Sequence, residues 1–434
     1  MTKIPLFCSS LIVFVVVIAS ASHENQTFLE CLETNSNPSY PISSLVFSPN
    51  NSSFPSVLQA YIRNLRFNES TTRKPLFILT AQHESHIQAS IICAKSLGVQ
   101  MKIRSGGHDY EGLSYVSDVP FFVVDMFNFR SVNVSIEDES AWVEVGATLG
   151  EVTVFRVPRF YDQNALDLAY LWQRRADKWD DDLFMRMIID VVNSTTPAPE
   201  KTIRVSFFTL FLGDSDRLLS LLNQSFPELG LERKDCIEMS WIESVLYYTN
   251  SPIAPIDALL SRSPPLTYLK RKSDYLQKPM SKEGLEFIFK KMIELQTPTA
   301  MTFNPYGGRM SEISPLAKPF PHRAGNIAKI QYATNWNEKG VEAANHYLNL
   351  TRILYDYMTP FVSKSPRLAF LNYRDLDLGV THNGKLSYFE GKVYGVKYFK
   401  KENFNRLVKI KTKVDPQNFF RNEQSIPVYP AWKN

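Results

Sequence analysis

Glycine is scarce in this 434-residue chain: 17 residues, about 4%, against a usual share of about 7%. No G-x-G-x-x-G and no G-x-x-x-x-G-K-[ST] stretch occurs, so a P-loop for nucleotide triphosphates has no support. No C-x-x-C, H-E-x-x-H or G-x-S-x-G occurs either, and the seven histidines are scattered, which leaves metal hydrolysis and the serine-hydrolase elbow without residues. Charge of one sign is also lacking. Lys and Arg total 48 against 44 acids, an excess too mild and too dispersed for a nucleic-acid groove. No apolar run beyond the N-terminus is long enough to span a bilayer.

What is there begins with a leader. Residues 1–21 carry Lys3, the apolar run L-I-V-F-V-V-V-I and the small-residue end Ala19-Ser20-Ala21, the pattern of a cleaved secretory signal peptide. Eight N-x-[ST] sequons follow, at Asn25, Asn50, Asn51, Asn68, Asn133, Asn193, Asn223 and Asn349, consistent with a secreted glycoprotein. With Cys8 lost in the leader, Cys31, Cys93 and Cys236 remain, an odd count that implies one bridge and one thiol left over. Cys31 with Cys93 is the expected pair, because Cys236 lies in a distant region of different character.

Periodicity sketches two regions of an α+β protein. From Pro75 the chain reads L-F-I-L-T, a helical S-H-I-Q-A-S-I-I-C-A-K-S-L closed by Gly98, then Q-M-K-I-R, a β-α-β pattern. F-F-V-V-D at 121–125, S-V-N-V-S at 131–135 and A-W-V-E-V-G-A at 141–147 continue as strands. The second region opens with T-V-F-R-V at 153 and alternates strands with helices at 163–179, 216–226, 282–295 and 338–358. That mixture predicts an antiparallel sheet with helices on one face. Residues 261–266, S-R-S-P-P-L, read as a surface loop.

The seam between the regions is anomalous. Thr148-Leu149-Gly150-Glu151 has the form of a capping box, yet V-T-V-F-R-V-P follows, a β-branched run suited to a strand. A cap without its helix, in a chain short of glycine, points to a missing glycine-rich block between Glu151 and Val152.

Several motifs then converge. F-L-E-C-L at 28–32, K-I-R-S-G-G-H-D-Y-E-G-L-S-Y at 102–115, N-P-Y-G-G-R-M-S-E-I at 304–313, P-F-P-H-R-A-G-N at 319–326, N-Y-R-D-L-D at 372–377 and V-D-P-Q-N-F-F-R-N-E-Q-S-I-P at 414–427 resemble secreted plant flavoproteins similar to berberine bridge enzyme. The resemblance implies two lobes: a vanillyl-alcohol-oxidase-like FAD-binding lobe, here truncated, and a substrate lobe whose antiparallel sheet is covered by helices. It divides the chain into a leader at 1–21, the first part of the FAD lobe at 22–151, a substrate domain at 152–370, and a C-terminal segment at 371–434 that returns to the FAD lobe.

The same resemblance assigns candidate site residues. His108 is the covalent tether to FAD, with Arg104, Ser105, Gly106 and Gly107 around it and Asn418 as a flavin neighbour. Cys31 and Cys93 match the family's disulfide. The second, cysteine tether, in a C-P-T-V-G-V-G-G-H-like stretch, is absent, and its place falls at the seam. In A-K-I-Q-Y-A at 328–333, period two sets Lys329 and Gln331 on one face, which is a solvated sheet face on spacing alone and the flavin-facing edge of the site by resemblance. Gln cannot act as a general base, so Tyr110 or Tyr373, beside Lys329, takes the proton. The implied reaction is hydride transfer from an alcohol (a sugar or monolignol-type compound) or an alkaloid to FAD, with O2 as final acceptor. A monomer in the apoplast or cell wall is expected, with a small-molecule substrate, no nucleic acid and no membrane after cleavage. The alternative is a non-catalytic secreted remnant or binding protein whose incomplete cradle holds no FAD.

Overall fold

The computed structural model describes residues 27–59, 62, 64–105, 107, 109, 111–129, 133–135, 140–142, 151–194, 200–248, 258–259, 266–381 and 387–430. The leader, Gly106, His108, Tyr110 and residues 148–150 of the capping box lie outside the described residues. The chain divides into two compact units, residues 1–62, 67–108 and 112–144 in one, and 63–66, 109–111 and 145–434 in the other. The C-terminal segment 371–434 therefore groups with the large sheet described below.

The first unit contains α1 (residues 27–35), β1 (Val46–Phe47), α2 (Phe54–Gln59), β2 (Ile78–Thr80), α3 (Glu84–Leu97), β3 (Gln100–Arg104), β4 (Phe121–Asp125) and a small hairpin of β5 (Asn133–Ser135) and β6 (Ser140–Trp142). Helix α3 starts where the His83 ring accepts a bond from the Ser85 N–H and stops at Gly98, whose φ of 67° gives the left-handed cap. The β-α-β reading holds in outline, but β4 inserts between β2 and β3 and runs parallel to both, in the order β1-β2-β4-β3. All five β4 residues are buried, as an unbroken apolar run between parallel neighbours should be.

Two cross-links brace this unit. Cys31 and Cys93 form a disulfide with Cα atoms 5.8 Å apart across 62 residues of sequence, a loop whose closure in the unfolded chain is worth about 4 kcal/mol. Arg104 is fully buried at the end of β3. Its guanidinium donates to Asp125 Oδ2 (3.0 and 2.6 Å) and to the carbonyls of Leu58 (2.9 Å) and Val57 (2.8 Å) at the end of α2.

The second unit is built on a seven-stranded antiparallel sheet ordered β10-β7-β9-β8-β12-β13-β11. Its strands are β7 (Glu151–Phe160), β8 (Leu183–Asn193), β9 (Lys201–Phe211), β10 (Ile237–Ser240), β11 (Tyr268–Leu276), β12 (Ala300–Pro305) and β13 (Ala328–Trp336). Its helices are α4 (Ala165–Arg175), α5 (Ser215–Ser225), α6 (Trp241–Tyr248), α7 (Lys282–Glu294), the short α8 (Arg309–Glu312), α9 (Val341–Tyr357) and α10 (Tyr388–Val414), the last merged across a kink at Lys400. None of the described helices is long and apolar enough to cross a membrane.

Alternation fixes which side of the sheet is core. Met185, Met187 and Ile189 of β8, Phe207 of β9, Phe303 of β12 and Ile330 and Tyr332 of β13 enter one continuous cluster with Leu168 and Trp172 of α4, Leu285 and Ile288 of α7 and Leu354 of α9. Trp172 is completely buried and its indole N–H donates to the Met185 carbonyl at 3.1 Å. Cys236, the thiol left over, is half-buried; burial pushes its pKa up to about 11, which leaves it a poor nucleophile.

Candidate functional site

The residues between the core positions of each strand share the opposite face. Register places Arg156 of β7 and Arg186 of β8 on either side of Phe208, and Asn304 of β12 and Tyr275 of β11 on either side of Lys329. One step along, Ile188, Thr302, Gln331 and Ser273 form a second row. Residues directly opposite on neighbouring strands share a face, so Lys329, Gln331, Asn304 and Arg186 line one polar surface.

Lys329 is the chemical centre of that surface. Its ammonium lies 3.9 Å from the Phe370 ring centroid and 4.3 Å from that of Tyr373, and the two rings meet edge-on at 90°. Two aromatic faces at right angles form a corner that holds a cation by its charge while stripping its water. Burial, with repulsion from Arg186 added, lowers the Lys329 pKa from 10.5 to about 8. No carboxylate pairs with Lys329 among the described residues.

Its neighbours are also short of partners. The Arg186 guanidinium lies 5.3 Å from the Phe184 ring centroid and 5.0 Å from that of Tyr248. Arg186 Nε, Asn304 Nδ2 and Tyr248 Oη are buried with no hydrogen-bond partner among the described residues. A buried donor left unmade costs about 1–3 kcal/mol, so these donors are open to polar atoms of a ligand. Arg156, stacked 4.0 Å over Phe208, extends the positive character across the sheet.

The sequence candidates distribute unevenly. Lys329 and Tyr373 are brought into contact, and Gln331 shares their face. Gly107 has a φ of 64°, a left-handed conformation that glycine reaches without strain, and Ser105 is exposed beside it. Arg104 donates to Asp125 and to the Leu58 and Val57 carbonyls within its own unit. Asn418 sits after α10 at a φ of 53°, with its Oδ1 buried and without a partner among the described residues. His108, Gly106 and Tyr110 lie outside the described residues. Sequence reading missed Arg186, Asn304 and Phe370. For Arg186 a signal existed: in F-M-R-M-I-I-D the same period of two sets Arg186 on the face away from Met185 and Met187.

Against known proteins the chain has clear relatives. Berberine bridge enzyme-like 8 of Arabidopsis thaliana is 47% identical over 521 aligned positions, covering 96% of this chain and 98% of the relative. The chain belongs to the berberine bridge enzyme-like family of FAD-linked oxidoreductases. Residues 75–157 match the FAD binding domain and residues 369–427 the domain described as berberine and berberine like. Among solved structures, wild-type Phl p 4.0202, a glucose dehydrogenase, has a TM-score of 0.82 at 32% identity, covering 93% of this chain and 100% of that one. A variant of berberine bridge enzyme gives 0.82 at 26%, with the same coverages. The fold expectation, an FAD-binding lobe and a substrate lobe with a helix-covered antiparallel sheet, stands for this family member.

The alignment is longer than the chain. Its 521 positions exceed the 434 residues of the chain by 87, so at least that many positions of the relative have no counterpart here. The FAD-binding match, residues 75–157, crosses the Glu151–Val152 junction, where the strand β7 runs without a break.

Proposed function

We propose that this family member oxidises an alcohol carbon, of a sugar or a monolignol-type compound, with O2 as the final electron acceptor, and that Lys329 and Tyr373 together take the hydroxyl proton. The observation that carries this reading is the Lys329 amine in its aromatic corner, with a pKa of about 8. An amine that gives up its proton near the working pH is suited to accept one from substrate. Sequence reasoning assigned the base to a tyrosine alone; here the lysine itself takes a share.

The residues present fit part of a flavin. Gly107, at a φ of 64°, offers backbone free of side-chain bulk, and His108 follows it directly in sequence; on the large sheet, Arg186 Nε and Asn304 Nδ2 are donors without a partner among the described residues, open to a substrate oxygen. When bound, FAD supplies the hydride acceptor. Gln331 orients the substrate hydroxyl, and the Phe370 and Tyr373 rings keep water from Lys329. His108 is the proposed covalent tether, and the second tether has no counterpart in this chain. The leader, the sequons and the Cys31–Cys93 bridge support a secreted, glycosylated product.

A second reading is supported by the relative's positions, at least 87, that have no counterpart here: the chain is a secreted form that holds no cofactor and retains only the sheet surface for binding. Expressing the full chain and recording the visible spectrum of the acid-precipitated protein separates the two. A yellow pellet with peroxide output on alcohols supports the oxidase. A colourless pellet with no peroxide refutes it.

A further inference from the structure

β11 is an edge strand of the large sheet, and the segment 370–375 passes over that edge. At its start the Phe370 N–H donates to Ser273 Oγ at 2.9 Å; Ser273 is paired with Gln331 and so shares the face of Lys329. At its end Asp375 lies on the other, helix-covered face. Its Oδ1 accepts from Lys270 at 2.9 Å and its Oδ2 from Lys272 at 2.6 Å. Lys272 is the register partner of the core residue Tyr332 and lies 4.4 Å from the Tyr355 ring centroid of α9. Between these two anchors sit the two rings of the Lys329 corner.

The far anchor is elaborate for a turn. Lys270, Lys272 and Asp375 are each at most 3% exposed. Lys270 also binds Glu111 at 2.8 Å, and Lys272 binds Asp377 at 3.0 Å, which Arg352 clasps at 3.0 and 2.7 Å. The backbone of Asp375 is held as well, its N–H by Tyr398 Oη at 3.2 Å and its carbonyl by Gln424 Nε2 at 2.9 Å. Arg374, next to Tyr373, donates to Asp109 at 2.6 Å. Two lysines buried for one turn carry a desolvation cost that an apolar contact would avoid. The Ser273 bond at one end and the charged contacts of Arg374 and Asp375 at the other leave the intervening residues little freedom to move.

We propose that Asp375, through Lys270 and Lys272, and Arg374, through Asp109, are positioning residues that strap the 370–375 segment over the sheet edge and so hold the Tyr373 and Phe370 rings against Lys329. The charges on the helix-covered face thereby set the chemistry of the opposite one. The proposal rests on the reading of Lys329 and Tyr373 as proton acceptors. Loosening the strap lets water reach Lys329 and raises its titration midpoint. The titratable and charged groups facing Lys329 are Arg186 of β8, whose charge adds to the depression, Tyr275 of β11 and Tyr373 of the strap itself.

The test uses the full chain, reductively methylated with 13C-formaldehyde, with the Lys329 signal assigned by its absence in Lys329→Met. Titration by NMR is compared for the wild type, Asp375→Asn, Arg374→Gln and the remote control Lys411→Met, whose pair with Asp415 lies in α10 and the turn after it. In the wild type the midpoint falls near 8. Asp375→Asn and Arg374→Gln each raise it by about one unit, while Lys411→Met leaves it in place. Arg374→Gln alters a pair that is 17% and 19% exposed and carries the test if Asp375→Asn does not fold. A depressed wild-type midpoint that neither strap variant moves, even as both lower the melting temperature, overturns the strap alone. A wild-type midpoint near that of free lysine overturns the proton-acceptor reading with it.

Discussion

The two faces of the seven-stranded sheet are written in the same alternating code and serve opposite ends. On one, Trp172, Phe207, Phe303 and Ile330 close a dry core under α4, α7 and α9. On the other, Arg156, Arg186 and Lys329 stand among aromatic rings, and buried donors go unanswered among the described residues. The first face is optimised for burial; the second keeps charges it must desolvate. On the proposed reading, stability and chemistry are thus divided between the two faces, and the 370–375 strap is where they meet.

The largest way to break this division is on the dry side. Trp172→Ala removes a fully buried indole and its bond to Met185, and should cost about 4 kcal/mol in chemical denaturation, with little effect on the Lys329 titration. Next comes His322, stacked at 4.1 Å on Tyr275 and held by the Tyr398 carbonyl at 2.8 Å. Burial lowers its pKa from 6.5 to about 4, so the fold favours the neutral ring. That stability is fully present above pH 6.5 and is lost as pH falls toward 4. The loss should reach about 3 kcal/mol, and His322→Asn should flatten this part of the stability curve.

Smaller effects sharpen the contrast. Lys329→Met should change stability by only about 1 kcal/mol, because a desolvated amine is exchanged for an apolar chain of similar length. If the chain turns over, the same change should abolish the limb of the pH–rate profile near 8. Arg156→Gln, which forfeits the stack on Phe208, should cost about 0.5–1 kcal/mol and leave that limb unmoved.

Much of this was legible in the sequence, for reasons that differ by element. Strand patterns marked β2, β3, β4 and β13, and Gly98 marked the helix end at which the structure shows a left-handed cap. The face shared by Lys329 and Gln331 followed from period two alone. What could not be read was adjacency: β12 lies between β8 and β13 although more than a hundred residues separate β8 from it. For that reason Arg186 was not connected to Lys329. The strap escaped for the same reason, since Lys270 and Asp375 are 105 residues apart and no local pattern announces a buried charge pair.

The strand β7 has a further consequence. From Glu151, its first residue, it is paired with Ser240 of β10, and from Thr153 with Phe211 of β9. Among the described residues, its ladder partners all lie downstream in the chain. Such a strand works as a socket. A segment joined to its start can be lengthened, shortened or exchanged in evolution or in splicing while the large sheet keeps its order, and the cost falls entirely on the cofactor-binding half.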